Sequence, residues 1–230
     1  MAGFVIVLIL LIMAIFSPLI STHNPNKQDI ANAYLKPGSE GHLFGTDEYG
    51  RDLFSRVVYG ARISIIVAIG STLVGGIVGL ILGLIAGYTG GVIDSILMRI
   101  MDGMFAFPYI LLSLLIMTIM GTGIINVIIA IGFCSIPGYA RVVRGQVLIV
   151  KNQEFCNAVR VTGASNFRIV LKHIVPNIIS AVIVYSTLQI AGSIIFEASL
   201  SYLGLGISPP TSSWGTILSG GRAYLRTAPH

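Results

Sequence analysis

The sequence predicts an all-α protein that crosses a membrane about five times. Three observations carry this reading. Of the 230 residues 54% are hydrophobic and only 10% are charged, against roughly 25% charged in a soluble domain. Mean hydropathy is +0.88. The apolar residues fall into five runs, near 1–20, 63–88, 105–120, 124–146 and 176–196. Hydrocarbon offers no partner to a backbone N–H or C=O, so each run is expected to be helical.

The first run, 1–20, carries no charge and ends at Ser17-Pro18. It has no basic n-region and no cleavage site of small residues, so it reads as a membrane helix and not a signal peptide. Residues 21–60 are polar and rich in turn formers. Within them Leu53, Phe54, Val57 and Val58 recur at helical spacing, with Arg51, Asp52, Ser55 and Arg56 between. That pattern predicts a short amphipathic helix on the membrane surface.

In the second run Gly75, Gly79, Gly83 and Gly87 repeat every four residues. In lipid such a stripe forms a smooth groove where another helix approaches closely. Tight packing is the ordinary reading; a gate sliding along the groove is the sharper one. Residues 92–108 begin polar, and Arg99 and Asp102 share a helix face and are expected to pair. Gly121-Thr122-Gly123 predicts a turn. The fourth run contains Pro137-Gly138, an expected kink. Pro176 is expected to open the fifth helix, where proline is tolerated. Residues 197–230 are polar and irregular, with no further apolar run of about 20 residues.

The net charge of +5 is not a nucleic-acid patch. Arg141, Arg144, Lys151, Arg160, Arg168 and Lys172 bracket the one polar segment between the fourth and fifth runs. Basic residues collect on the cytoplasmic side. Residues 151–175 are therefore expected to be cytoplasmic, and 21–60 and 197–230 external. The whole chain, 1–230, reads as one membrane domain. Cys134 and Cys156 form no C-x-x-C, and the four histidines are scattered, so no metal centre is expected. Gly45 and Gly50 have phosphate-loop spacing, but Arg51-Asp52 follow where Lys and Ser/Thr are required. Glu197, at the end of the fifth run, is a candidate functional acid. The favoured reading is interfacial, hydrated or bonded to backbone near Gly204. Trp214 is a second candidate on the external or pore side.

The polar segment Asn157-Ala158-Val159-Arg160-Val161-Thr162-Gly163, with Pro176 beyond it, resembles the coupling loop of ABC importer permeases. There the pattern is E-A-A, three residues, Gly, nine residues, then I-x-L-P. Gly163, Pro176 and Ala158 match; Asn157 stands for the glutamate and His173 for the isoleucine. The likeness extends over Leu43–Arg56, Tyr59–Ser64, Met98–Pro108, Glu197–Gly206, Pro209-Pro210 and Trp214-Gly215. It is closest to the second, C-type permease of dipeptide, oligopeptide and nickel importers. The resemblance implies a type I importer membrane domain with six helices. A basic N-terminal extension and a last helix are expected to lie outside this chain. It implies ATPase contact through Phe155, Asn157, Ala158, Arg160, Gly163 and Ala164, with Asn157 peripheral because it lacks the usual charge.

The partners implied are a second homologous permease, two cytoplasmic ATPases and an external substrate-binding protein. ATP and magnesium would sit on the ATPases; this chain would carry no cofactor and catalyse nothing. The expected setting is the cell membrane. Short peptides are the expected cargo, by alternating access, with nickel the alternative. An ion-coupled secondary transporter would need internal repeats and ionisable residues at mid-depth, and no repeat is visible. An intramembrane enzyme would need a convergent catalytic set, which is also not visible.

Overall fold

The structure, a computed structural model, describes residues 1–39 and 41–230. Among the described residues no strand forms; only isolated bridges join Ser39 to His42 and Thr46 to Asp52. The first apolar run is two helices, α1 (Ala2–Ile15) and α2 (Ser17–Ile20). Pro18 is the cause, since it has no N–H and its ring crowds the carbonyl four residues back.

The separate surface helix expected ahead of the second run does not exist as such. Its residues are the first turns of α3 (Leu53–Thr89), one helix of 37 residues. Gly60 does not break it. A Cβ there would lie 3.2 Å from Trp214 Cδ1, so the glycine provides clearance for the indole. Gly90, at φ +68°, stops α3 in the left-handed region. The third span also differs from expectation. Residue 105 ends α4 (Gly91–Phe105), Pro108 interrupts, and α5 (Tyr109–Met120) leaves at 88° to it. α5 alone is about 18 Å long, less than a membrane core.

α6 (Ile124–Val150) runs unbroken through Pro137. After α7 (Glu154–Val161), the last long rod begins at Asn166, earlier than the expected Pro176. It comprises α8 (Asn166–Ile169), a π-helical turn (Val170–Ile174) and α9 (Val175–Tyr202). Ser165 Oγ caps it, accepting from Arg168 N at 3.4 Å. The widened π turn lies where Pro176 removes a donor, which lets the rod continue. α10 (Trp214–Gly221) is the last α-helix among the described residues, and a 3-10 turn, Arg222–Tyr224, follows it. By length and composition α3, α6 and the rod Asn166–Tyr202 can each cross a membrane, and α4 with α5 can serve as a fourth, bent span.

Contacts divide the chain into two units. One comprises Ile69–Ile116 and Ile128–Ser193. Its centre is the contact of α3 with α6. A Cβ on Gly79 would lie 2.9 Å from Ile136 O, and one on Gly83 would lie 2.6 Å from both Ala140 O and Val143 Cβ. At Gly87 the obstacle is Val147 Cβ at 2.8 Å, and at Gly75 it is Gly132 O at 2.7 Å. Gly132 reciprocates, because a Cβ there would meet Val74 Cβ at 2.8 Å. Tyr139, Val143 and Val147 of α6 then form one buried cluster with Ile174, Ile178 and Val182 of the last rod. Tyr139 Oη donates to Ser186 Oγ at 3.0 Å, and its ring meets Tyr185 edge-on at 4.8 Å. Two ion pairs fasten α4 to α6. Arg144 grips Asp94 with both Nε (2.5 Å) and Nη2 (2.7 Å), and Arg141 Nη2 reaches Asp102 at 2.7 Å. Asp102 thus pairs with Arg141 and not with Arg99 as the spacing suggested.

The other unit comprises Met1–Ala68, Met117–Val127 and Ile194–His230. Its polar segment is organised around Asp47. That carboxylate accepts from the backbone N–H of Tyr49 and Arg51, each at 2.9 Å, and from Arg51 Nε at 2.7 Å. Arg56 Nε lies 3.4 Å away. Asp52 Oδ2 accepts from Ser55 N at 2.8 Å and caps α3. Burial acts to raise the Asp52 carboxyl, but hydrogen bonds from Ser55 and His42 outweigh it and hold the group below the usual carboxylate range.

The glycine contact generates a test. Gly83→Leu would drive a side chain into α6 backbone, and overpacking of this kind costs about 1–3 kcal/mol or more. Gly103, in α4, has open space around it. Thermal melting of the purified chain should fall by many degrees for Gly83→Leu and stay unchanged or rise for Gly103→Ala.

Candidate functional site

α7 is short and two-faced. Glu154 lies in its first turn and Arg160 in its last, both favourable to the helix dipole. Cys156 is fully buried, and Phe155, Val159 and Ala164 pack against the cluster that holds Val150, Ile169 and Ile174. Asn157, Ala158 and Arg160 face outward. Val161 is 88% exposed and Phe167 74% exposed, both apolar groups left on the surface of a polar segment. Gly163 has φ +81° with nothing near its Cβ position. Glycine is there for backbone conformation, not for clearance. So among the residues expected at a coupling surface, Asn157, Ala158, Arg160 and Gly163 share exposure, while Phe155 and Ala164 belong to the helix core. Val161 and Phe167, exposed in the same segment, were not among the residues expected at that surface. An apolar residue beside Arg160 in a basic segment is the signal that could have found the first.

The segment is braced from below. Lys151 Nζ donates to Gly87 O at 2.6 Å, and Tyr88 Oη to Asn166 Oδ1 at 2.7 Å. These bonds tie the end of α3 to both sides of α7. Asn157 makes one contact of its own, accepting from Arg160 Nη1 at 3.3 Å.

Glu197 is fully buried. It is withdrawn from the surface, and its hydrogen-bond partners among the described residues are hydroxyls, not backbone near Gly204. Ser64 Oγ donates to Oε2 at 2.8 Å and Ser201 Oγ to Oε1 at 2.9 Å. Trp214 stands beside this group. Its indole N–H donates to Val57 O at 3.1 Å, and its backbone N–H lies 3.5 Å from Ser64 Oγ. Gly215 admits the turn, since a Cβ there would lie 2.6 Å from Ala198 Cα. Ser213 and Thr216 form a reciprocal capping box for α10. Glu197 and Trp214 are therefore brought together in a latch joining α3, α9 and α10. Ser201 was readable as the i+4 neighbour of Glu197; Ser64 was not.

Residues 75–225 match the family model described as binding-protein-dependent transport system inner membrane component. Residues 1–37 match the N-terminal TM domain of oligopeptide transport permease C. The glutathione transport system permease protein GsiD of Escherichia coli O6:K15:H31 is 44% identical over 231 residues, covering 100% of this chain and 76% of the relative. The same-named protein of Shigella flexneri serotype 5b is 46% identical over the same shares. Among solved structures, the inward facing MetNI methionine ABC transporter superposes with a TM-score of 0.63 at 19% identity, over 75% of this chain and 81% of the other. That last likeness speaks to the fold.

The latch generates a prediction. Glu197→Gln keeps an acceptor for one hydroxyl and offers an amide donor to the other, so its melting temperature should stay near that of the unaltered chain. Glu197→Leu strands two buried hydroxyls, at about 1–3 kcal/mol each, and should melt several degrees lower. Loss of transport in a stable Glu197→Gln would identify the carboxylate as a cargo or proton site instead of a latch.

Proposed function

We propose that this chain, which belongs to the binding-protein-dependent transport system inner membrane component family, is the permease of an ABC importer that admits short peptides. The observation that carries the coupling role is α7. It is a short amphipathic helix between α6 and the rod Asn166–Tyr202, rooted by Cys156 and presenting Asn157, Ala158, Arg160 and Val161 outward. An exposed basic and apolar knob of this kind suits a groove on a partner. In this reading the partner is a cytoplasmic ATPase, one of two, which holds the ATP and magnesium. A second homologous permease completes the pathway. An external binding protein delivers cargo to the side formed by residues 21–60 and 197–230.

The cargo class rests on the relatives. GsiD is named for transport of glutathione, a peptide of three residues. Nickel is the other cargo implied by the resemblance, and none of the relatives reported above is named for it. The mechanism proposed is alternating access. ATP-driven closure of the ATPases favours one of two packings of the helices, and the shift is limited by the difference in binding to the two states.

The test is reconstitution with the two ATPases, the second permease and the binding protein. Val161→Glu changes a side chain in open space, so the chain should melt as before. ATPase retention and glutathione uptake should each fall by about tenfold or more, a loss of about 1.4 kcal/mol in docking. Unchanged uptake would remove α7 from the coupling role.

Topology has its own check. Cys134 and Cys156 are buried, so an added cysteine reports alone. Thr227→Cys should react with an impermeant thiol reagent in sealed cells, and Asn157→Cys only after the membrane is breached. The reverse pattern would invert the assignment of sides.

A further inference from the structure

The histidines that looked scattered in sequence are not scattered in space. The His23 and His42 rings stack, with centroids 4.5 Å apart and planes 29° apart. His42 Nδ1 is bonded to an Asp52 carboxylate oxygen, and His23 Nδ1, which lies 3.0 Å from Thr22 Oγ1, is within reach of the same oxygen. His42 Nδ1 is 2.8 Å from Asp52 Oδ1, and His23 Nδ1 is 3.9 Å from it. One ligand atom from each of the three residues falls within 4.8 Å of the others.

We propose that His23, His42 and Asp52 form a binding site for a divalent first-row transition-metal cation. Zinc bonds to imidazole nitrogen and carboxylate oxygen are about 2.0–2.2 Å. Two ligand atoms on one tetrahedral ion are then about 3.3 Å apart. The separations here, from 2.8 Å to at most 4.8 Å, bracket that value, so closing a gap of up to about 1.5 Å, shared between the two rings, would bring the three atoms onto one ion. Two neutral nitrogens and one carboxylate are a borderline donor set, suited to zinc and its neighbours rather than to calcium or magnesium. The fourth position would be open to water or another small ligand.

Three features show that the site is built. First, the Asp52 side chain is 1% exposed and its two oxygens are divided in use. Oδ2 is committed to Ser55 N at 2.8 Å and to Thr22 Oγ1 at 3.3 Å, which leaves Oδ1 facing the imidazoles. Second, Ser55 Oγ accepts from His23 N at 3.0 Å, which fixes the histidine backbone against α3. Third, the cations that flank Asp52 in sequence, Arg51 and Arg56, are engaged elsewhere. Arg51 lies against Asp47 and Glu48, and Arg56 against Asp47 and Pro25 O. A single proton on His42 can satisfy only one contact of the three. A metal ion would satisfy all of them and would clip the strand of chain at 21–24 to the start of α3.

The experiment uses the full chain in detergent, stripped with a chelator and titrated with Co²⁺ as a spectroscopic probe. One Co²⁺ per chain should bind, with the visible absorption of a four-coordinate site, and Zn²⁺ should displace it. Zn²⁺ should also raise the melting temperature. His42→Ala should weaken binding by more than about tenfold, the least that losing an outer-shell partner of a ligand costs. His42 also holds Asp52, so that variant could loosen the loop by itself. His23→Ala is the cleaner case, because its side chain is 42% exposed and outside any helix. It should melt normally without metal and lose the Zn²⁺ effect. His173→Ala should bind as the unaltered chain does. Absence of stoichiometric binding, or binding unaltered in both His23→Ala and His42→Ala, overturns the proposal.

Discussion

The packing of the unit Ile69–Ile116 and Ile128–Ser193 depends on one contact, the approach of α3 to α6 at backbone distance. Lipid tails are as apolar as leucine, so burial of hydrocarbon gives little drive for two membrane helices to associate. What remains is dispersion between closely fitted surfaces, and it is lost steeply with small gaps. The stripe Gly75, Gly79, Gly83 and Gly87 lets α6 come near enough that a Cβ would touch carbonyl oxygen. That position sets where Tyr139, Val143 and Val147 lie. They in turn set the seat for Ile174, Ile178 and Val182. The Arg144 grip on Asp94 then fixes α4 to the same helix.

The other unit is held by a different kind of force. Its organising groups are charged or polar and largely withdrawn from water: Asp47 with Arg51 and Arg56, Asp52 with His42, Glu197 with Ser64 and Ser201. A buried polar or charged group is costly unless it is paired or hydrogen-bonded. Each of these carboxylates has at least two partners. Such networks add modest net stability but penalise any rearrangement that leaves one member unpaired. Segments short of helix are thereby given a single conformation.

The sequence revealed most where one residue type acts through local geometry. Gly121 and Gly163 adopt positive φ, and Ser17-Pro18 marks a real interruption. The misreadings arise where a local pattern competes with a distant partner. Leu53–Val58 looks like a surface helix because its charges alternate with apolar residues, yet Arg51 and Arg56 are buried against Asp47. Arg99 is the nearer sequence neighbour of Asp102, but Arg141 supplies the contact in space. The ring pair His23 and His42 has no periodicity to betray it. The outward face of α7 was legible as a basic segment, whereas the inward turn of Phe155 and Ala164 required knowing which side the core occupies.

The form of the α3–α6 contact also bears on how such a permease moves. A bare glycine groove would permit sliding. Here the groove is filled. Val143 sits against Gly83, Val147 against Gly87, and from the other helix Val74 sits against Gly132. Sliding by one turn would carry Val143 from Gly83 toward the next glycine of the stripe, past the side chains that lie between, and packed interfaces of this kind switch between discrete fits instead of deforming smoothly. Within this unit close packing ties the α3 and α6 segments together, and Arg144 ties α4 to them. α7 is rooted in the same cluster through Cys156 and braced by Lys151 and Tyr88. A displacement at its outward face has little slack to absorb it, which is the mechanical requirement of the coupling role proposed for it.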